Sequence, residues 1–260
     1  MNGAALHRTT RWFGLFFALA LAAGVASAQG SSSVAGSAAA NPVQQEVTPF
    51  EWGVLAQGGF GVTEDRGSFK FFMAGVHAGK VLTSNFGPGK LRGDFEYAVE
   101  VFPLWQSYTP VTQRQNCVPI SGSSSFNCSA PFNIGGRFTG ASITPIILRW
   151  NFAGTRRVAP WVQGAGGVIW TNHKYPAFGG PPAVPAGVTQ SSVGNNVASD
   201  NTSVWNFTPQ FGVGVHYFVG ARRSIDFGAN AIHISSASLG DKNPGVNASV
   251  QFTLGYSWWK

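Results

Sequence analysis

Hydrophobic and polar residues alternate with a period of two along most of the chain beyond residue 50. In residues 91–101, apolar or small side chains occupy the odd positions, and most even positions are charged. Segments 207–219 and 250–258 repeat the alternation. Successive side chains of a β-strand point to opposite faces, so each segment predicts a strand with one apolar and one polar face. Eight segments qualify: about 50–62, 67–82, 90–105, 142–153, 158–170, 204–219, 223–235 and 247–259.

Several of these segments are long for strands of a soluble protein. They exceed the common ~5–6 residues and suit the ~9–11 residues of a tilted membrane-spanning strand. The alternation alone also fits a soluble sandwich that turns its apolar faces inward. Composition favours the membrane, because only 10% of the residues are charged while the chain contains 21 Phe and 9 Trp. The sequence therefore predicts an all-β fold, an eight-stranded antiparallel transmembrane β-barrel.

The connections between the segments alternate in length as an eight-stranded barrel requires. Bacterial barrels combine short periplasmic turns with longer outer loops. The connections after the third and fifth segments are long, at 106–141 and 171–203, whereas those after the fourth and sixth are tight, at 154–156 and 220–222. We therefore predict a barrel over residues 46–260 with long outer loops at 106–141 and 171–203.

The N-terminal region predicts export. Basic residues before position 12 precede an apolar run at 12–23, and Ala26-Ser27-Ala28 forms an A-x-A cleavage site. This arrangement indicates a secretory signal peptide over residues 1–28. Residues 29–45 are rich in Ser, Ala and Gly and predict a flexible leader. Together with the barrel pattern, the signal peptide predicts location in a bacterial outer membrane.

The two cysteines and the modest net charge bear on whether the chain has a disulfide, a metal site or a nucleic-acid partner. Cys117 and Cys128 flank a loop-like segment, and in an oxidising compartment they predict one disulfide. Because no histidine lies in that loop, a metal site there is rejected. The net charge of +7 comes without a run of Lys or Arg, so a nucleic-acid partner is not expected.

The chemistry that the sequence offers lies near the end of the seventh segment. Ile225, Phe227, Ala229 and Ala231 form its apolar, lipid-facing row, and His233 and Ser235 continue that row. A serine beside a histidine can act as an activated nucleophile, because the imidazole takes the hydroxyl proton. The same two residues would also suit a headgroup boundary, where polar side chains are common, and the spacing alone favours that interpretation.

Residues 225–258 carry a resemblance to a known family. They include Ala-Ile-His-Ile-Ser-Ser-Ala at 231–237, Asn-Pro-Gly-Val-Asn at 243–247 and a final aromatic strand. This stretch resembles the lipid A 3-O-deacylase (PagL) family. The resemblance implies an eight-stranded outer-membrane barrel and an esterase that removes the acyl chain at position 3 of lipid A. It also implies a Ser-His-Glu triad, a lipid A or lipopolysaccharide partner in the outer leaflet, no cofactor and no required metal.

Carried over position by position, the resemblance assigns His233 as the general base and Ser235 as the nucleophile. Ser236 stands where the family has the Asn that helps to hold the oxyanion, so we expect Ser236 and nearby main-chain N–H groups to hold it. The position of the triad acid, fourteen residues after the histidine, falls on Asn247. Its amide can orient an imidazole but brings no charge to stabilise imidazolium. The alternation puts Asn247 on the interior face unless a bulge lies nearby, so Asp241 is an alternative orienting residue.

The function prediction is therefore an outer-membrane esterase that hydrolyses an ester-linked acyl chain of lipid A with Ser235 and His233. The alternative is a non-catalytic outer-membrane barrel whose long loops have a structural or surface-binding role. A soluble periplasmic β-protein is the third interpretation. The sequence pattern does not indicate the oligomeric state.

Overall fold

The structure is a computed structural model that describes residues 41–44, 48–63, 66–114, 117–120, 126–174, 203–236 and 247–260. The predicted signal peptide, most of the leader, most of loop 171–203 and Asp241 lie outside these residues and stay predictions. In the part of the chain that is described, no helix is long and apolar enough to cross a membrane.

The described residues form eleven β-strands and one short 3₁₀ turn at Gly89–Leu91. The strands are β1 (Phe50–Gly61), β2 (Lys70–Val81), β3 (Gly93–Arg114), β4 (Cys117–Pro119), β5 (Phe126–Cys128), β6 (Phe132–Phe152), β7 (Val158–Thr171), β8 (Trp205–Phe207), β9 (Gln210–Gly220), β10 (Arg223–His233) and β11 (Ala248–Trp259).

Eight of these strands close into a barrel. Each barrel strand pairs antiparallel with the next one along the chain, in the order β1, β2, β3, β6, β7, β9, β10 and β11. The first and last strands then pair with each other, from Glu51 opposite Trp259 to Gly61 opposite Ser249. Closure leaves the barrel without an unpaired edge. The predicted eight-stranded antiparallel β-barrel is confirmed, and each predicted segment corresponds to one barrel strand.

The outer surface of the barrel is apolar and much of its interior is polar. All eight barrel strands expose at least one large apolar or aromatic side chain, for example Val54, Phe72 and Phe252. Interior positions include buried charges such as Glu96 and Arg149. A soluble sandwich would have the opposite arrangement, and so continuous an apolar surface is that of a lipid-facing barrel.

The connection predicted as a loop at 106–141 is instead mostly strand. β3 and β6 continue to pair as far as Arg114 opposite Phe132, and β4 and β5 form a further two-stranded ladder. The sequence hides this extension because the register shifts between Phe102 and Trp105. Such a bulge moves the alternation by one residue and ends the period-two signal.

The last residues assigned to the leader pack against the barrel. Val43 is fully buried in a cluster with Val81, Ala159, Phe218 and Trp259. The side-chain amide of Asn41 donates a hydrogen bond to the carbonyl oxygen of Thr155 at 2.6 Å. Residues 41–44 therefore cover the end of the barrel that contains Phe50 and Trp259, which we call the terminal end. We call the opposite end, where β3 and β6 extend, the loop end.

The ladder between β4 and β5 brings the two cysteines together, since Cys117 lies directly opposite Cys128. Directly opposed residues in an antiparallel pair have Cβ atoms within the range that a disulfide spans. The disulfide remains a prediction, and we expect thiol labelling of the native, unreduced protein to find no reactive cysteine. Labelling after reduction is the positive control. Two reactive thiols per chain before reduction would contradict the prediction.

Candidate functional site

His233 and Ser235 lie on the outer surface at the loop end of β10. Their neighbours Ile232 and Ile234 are only 6% and 3% exposed, so these neighbours face the interior. The alternation then places the His233 and Ser235 side chains on the lipid-facing side, where both are half-buried. The structure thus keeps the two predicted residues on one face.

Main-chain hydrogen bonds hold the chain extended beyond the last residue of β10. The N–H of Ser235 donates to the carbonyl of Phe207 at 2.9 Å, and the N–H of Phe207 donates back to Ser235 at 2.6 Å. The N–H of His233 donates to the carbonyl of Pro209 at 3.0 Å. In an extended chain, residues two apart have Cα atoms about 6.5–7 Å from each other and side chains that point the same way.

A main-chain carbonyl fixes the histidine ring. Nδ1 of His233 lies 3.1 Å from the carbonyl oxygen of Asn247, which also accepts the N–H of Ile234 at 2.9 Å. A carbonyl oxygen can only accept, so Nδ1 must carry the hydrogen. The neutral imidazole therefore has its lone pair on Nε2, the nitrogen that would take a proton from a nucleophile.

The side chain of Asn247 does not make this contact. It is 9% exposed and lies on the interior side, and its Oδ1 has no hydrogen-bond partner among the described residues. The family resemblance implies that the Asn247 amide orients His233, whereas the alternation predicts an interior position for this side chain. The structure has the side chain on the interior side and makes the contact through the backbone. No residue pattern could have found this contact, because every residue has a main-chain carbonyl.

Ser236 faces the interior as well. It is 2% exposed, and its hydroxyl lies on the opposite face of the strand from Ser235. The oxyanion role expected of Ser236 and nearby main-chain N–H groups stays a prediction.

Small side chains on the outer face of β10 lie between larger apolar side chains of the neighbouring strands, and we infer from this a shallow groove that runs from His233 toward the terminal end. Its floor consists of the small side chains of Ala231 and Ala229. In the ladder, Ala231 lies between Phe211 and Val250, and Ala229 lies between Val213 and Phe252. Phe227, which is 48% exposed, interrupts the floor. From Ser235 to Phe227 the strand advances about 26 Å.

A cluster of buried charged residues lies in the terminal half of the barrel interior. The sequence alone did not predict that these residues lie together. The cluster includes Glu51, His77, Glu96 and Arg149, all at most 6% exposed. Alternation along each strand indicates that these residues face inward. Their mutual contacts depend on the register around the barrel, which the sequence pattern does not contain.

Comparison with known families gives one match over more than half of the chain. The model of the family described as lipid A 3-O-deacylase (PagL) matches residues 120–257, a range that includes His233, Ser235 and Asn247. A comparison with curated proteins gives no match.

Comparison with solved structures gives several that are similar to the chain. The crystal structure of the outer membrane enzyme PagL is 15% identical, covers 79% of this chain and 98% of that chain, and has a TM-score of 0.41. Neisserial surface protein A (NspA) is 14% identical, with coverages of 80% and 96% and a TM-score of 0.39. The N-terminal β-barrel domain of Pseudomonas aeruginosa OprF is 10% identical, with coverages of 80% and 99% and a TM-score of 0.34.

Proposed function

The chain belongs to the lipid A 3-O-deacylase (PagL) family, and from this premise we propose that it hydrolyses an ester-linked acyl chain of lipid A in the outer membrane. The observation that carries the proposal is the hydrogen bond from His233 Nδ1 to the Asn247 carbonyl. It leaves Nε2 as a proton acceptor on the same lipid-facing side as the Ser235 hydroxyl.

In the proposed reaction, Ser235 Oγ attacks the acyl carbonyl while His233 Nε2 takes the hydroxyl proton. The tetrahedral intermediate collapses, the bond from the carbonyl carbon to the sugar oxygen breaks, and imidazolium returns the proton to that oxygen. A water molecule then attacks the acyl-serine and gives a proton to His233, which passes it to Ser235. The products are a free fatty acid and lipid A with one acyl chain fewer.

The oxyanion of the intermediate needs hydrogen-bond donors near the Ser235 hydroxyl. The N–H of Ser235 itself is bonded to Phe207, so it is not the donor. We propose the main-chain N–H of Ser236 for this role. The Ser236 hydroxyl contributes little in this proposal, because it points into the barrel.

The carbonyl of Asn247 orients the imidazole without a charge. A carboxylate in this position would also stabilise the imidazolium that forms in the transition state. We propose that the main-chain contact sets the tautomer and ring orientation, and that Asp241, the one acidic residue in the sequence between β10 and β11, adds a carboxylate.

We expect Asn247→Ala to retain deacylation within about three-fold. The contact to His233 uses the main chain, which alanine preserves, and the change removes a buried amide oxygen that lacks a partner. Initial rates of fatty-acid release measure the effect. Asp241→Asn is the companion variant. A ten-fold or greater loss of rate in this variant would show that Asp241 supplies the carboxylate that stabilises imidazolium. A comparable loss in Asn247→Ala would show that the amide itself orients His233.

The groove along β10 is the proposed binding surface for the acyl chain that is removed. Ala231→Phe fills its floor next to the catalytic pair, so we expect at least a ten-fold loss of kcat/KM on lipid A, with a smaller loss on a short-chain ester. Ala74→Phe is a matched control, because Ala74 is a half-buried, outward-facing alanine on β2. Equal losses of kcat/KM in the two variants, or on the two substrates, would contradict the proposal that the acyl chain binds along this groove.

Incubation of the purified barrel with lipid A in mixed micelles tests the proposed function. The expected products are one equivalent of free fatty acid and a lipid A that lacks one ester-linked chain. Binding of lipid A without any release of fatty acid would contradict the proposal and favour a non-catalytic barrel with a surface-binding role.

A further inference from the structure

The buried cluster in the terminal half of the barrel has the geometry of a metal site. We propose that Glu51, His77 and Glu96 bind one divalent transition-metal ion of the zinc class, far from His233 and Ser235. This inference does not depend on the proposed function, because the site lies near the opposite end of the barrel and has a structural role.

The distances between the ligand atoms fit one ion. Nε2 of His77 lies 3.3 Å from Glu51 Oε2 and 3.7 Å from Glu96 Oε1. All three ligand atoms lie within 4.8 Å of one another. With metal–ligand bonds of about 2.0–2.2 Å, a tetrahedral site places neighbouring ligand atoms about 3.3–3.6 Å apart.

Two of these ligand atoms lack hydrogen bonds although they are buried. Nε2 of His77 and Oε1 of Glu96 have no hydrogen-bond partner among the described residues, and the two side chains are 6% and 0% exposed. The other oxygen of Glu96 accepts the Asn151 side-chain amide at 2.8 Å, which leaves Oε1 directed toward His77. A buried polar atom without a partner is costly, and a bound cation would satisfy both.

The second nitrogen of His77 is held as in metal sites. Nδ1 lies 3.4 Å from Glu100 Oε1. A carboxylate on the far nitrogen of a metal-binding histidine fixes its tautomer and orientation. The same arrangement directs the Nε2 lone pair toward Glu51 and Glu96.

Charge balance favours a dication. Three carboxylates, those of Glu51, Glu96 and Glu100, surround His77, and Arg149 is the cation that contacts two of them, at 3.3 and 3.6 Å. With His77 neutral, these groups sum to two negative charges, and burying unbalanced charge is expensive. One divalent ion neutralises them.

The barrel leaves space beside this position. A cavity of about 30 Å³, room for one water-sized occupant, has Glu51, His77, Glu100 and Arg149 in its lining, and Glu96 lies outside that lining. On β2, Gly79 makes room for the Glu96 carboxylate, because a Cβ there would clash with Glu96 Oε1 and lie 3.2 Å from His77 Nε2.

A second group of possible ligands, Glu51, His216 and Asp226, fits less well. The Asp226 carboxylate already contacts His216 Nδ1 at 2.6 Å and accepts hydroxyls from Ser224 and Ser257 at 2.8 and 2.5 Å. Three of the four lone-pair sites of its two oxygens are therefore used, and His216 provides a matched control for His77.

Metal content of the refolded barrel tests the proposal. The protein is denatured in chelator, refolded in detergent, equilibrated with Zn²⁺ and freed of excess ion. We expect one zinc per chain in the wild type, below one-tenth in His77→Gln and Glu96→Gln, and about one in His216→Gln. Heat-dependent mobility on gels checks that each variant folds.

A measurement on the wild type keeps the test independent of how the variants fold. Co²⁺ in place of Zn²⁺ is expected to give the intense visible absorption of a tetrahedral N/O site, and added Zn²⁺ should remove it. Less than one-tenth of an ion per chain in the wild type would overturn the proposal, and a protonated His77 would then offset one of the two negative charges. Equal zinc in the wild type and in folded His77→Gln would overturn it as well.

Discussion

Ser235→Ala and His233→Ala are each expected to lower deacylation by about 10³-fold or more while the barrel still folds. In the proposed reaction Ser235 supplies the nucleophile and His233 the proton acceptor. We expect the barrel to fold without either side chain, because both lie on the outer surface at the end of β10. The losses should not add in the double variant, since residues that act as one unit lose their joint effect when either is removed. Initial rates on lipid A in mixed micelles measure this.

The control for these variants is His173→Ala. His173 is an exposed histidine just beyond β7, and its carbonyl, not its ring, accepts the Thr171 hydroxyl. We expect wild-type rates from it. Full activity in Ser235→Ala would exclude Ser235 as the nucleophile, and additive losses in the double variant would show that the two residues do not act together.

Arg149→Met is expected to lower the free energy of unfolding by about 3–5 kcal/mol, the usual cost of leaving buried charges without their partner. Arg149 is 4% exposed and contacts the carboxylates of Glu51 and Glu96, and its Nε donates to Gln163 at 3.0 Å. It is a cation that these two acids share across the barrel interior. Urea unfolding in detergent after treatment with a chelator measures the loss without any bound ion.

Arg156→Met provides the matched comparison for Arg149→Met. Arg156 is exposed in the tight turn between β6 and β7, and surface substitutions of this kind usually stay within about 0.5 kcal/mol. Losses of similar size in the two variants would mean that Arg149 does not stabilise the interior acids.

The side of the barrel that each residue faces could be predicted from the sequence alone. Alternation along 225–235 placed Phe227, Ala229 and Ala231 outward, and His233 and Ser235 followed from the same count. The prediction worked because a lipid-facing row must be apolar and the pleat has a period of two. In the outer part of β3 the buried face includes the polar residues Ser107 and Thr109, and with the register shift after Phe102 the hydrophobic alternation no longer marks the strand.

Contacts between distant strands could not be predicted. Glu51 and Arg149 are 98 residues apart, and their contact depends on closure and register around the whole barrel. The orienting contact of His233 uses a main-chain carbonyl, which leaves no mark in the sequence. Asn247 does lie next to His233, but the contact uses its main-chain carbonyl oxygen and not its side-chain amide.

Mass spectrometry of lipid A tests the central proposal most directly. Lipid A is extracted from cells that express the wild-type protein, the Ser235→Ala variant or neither. The account predicts that the wild type shifts lipid A to lower mass by one ester-linked acyl chain, and that lipid A from the variant matches the cells without the protein. Unchanged lipid A in cells whose outer membrane contains the folded wild-type barrel would contradict it.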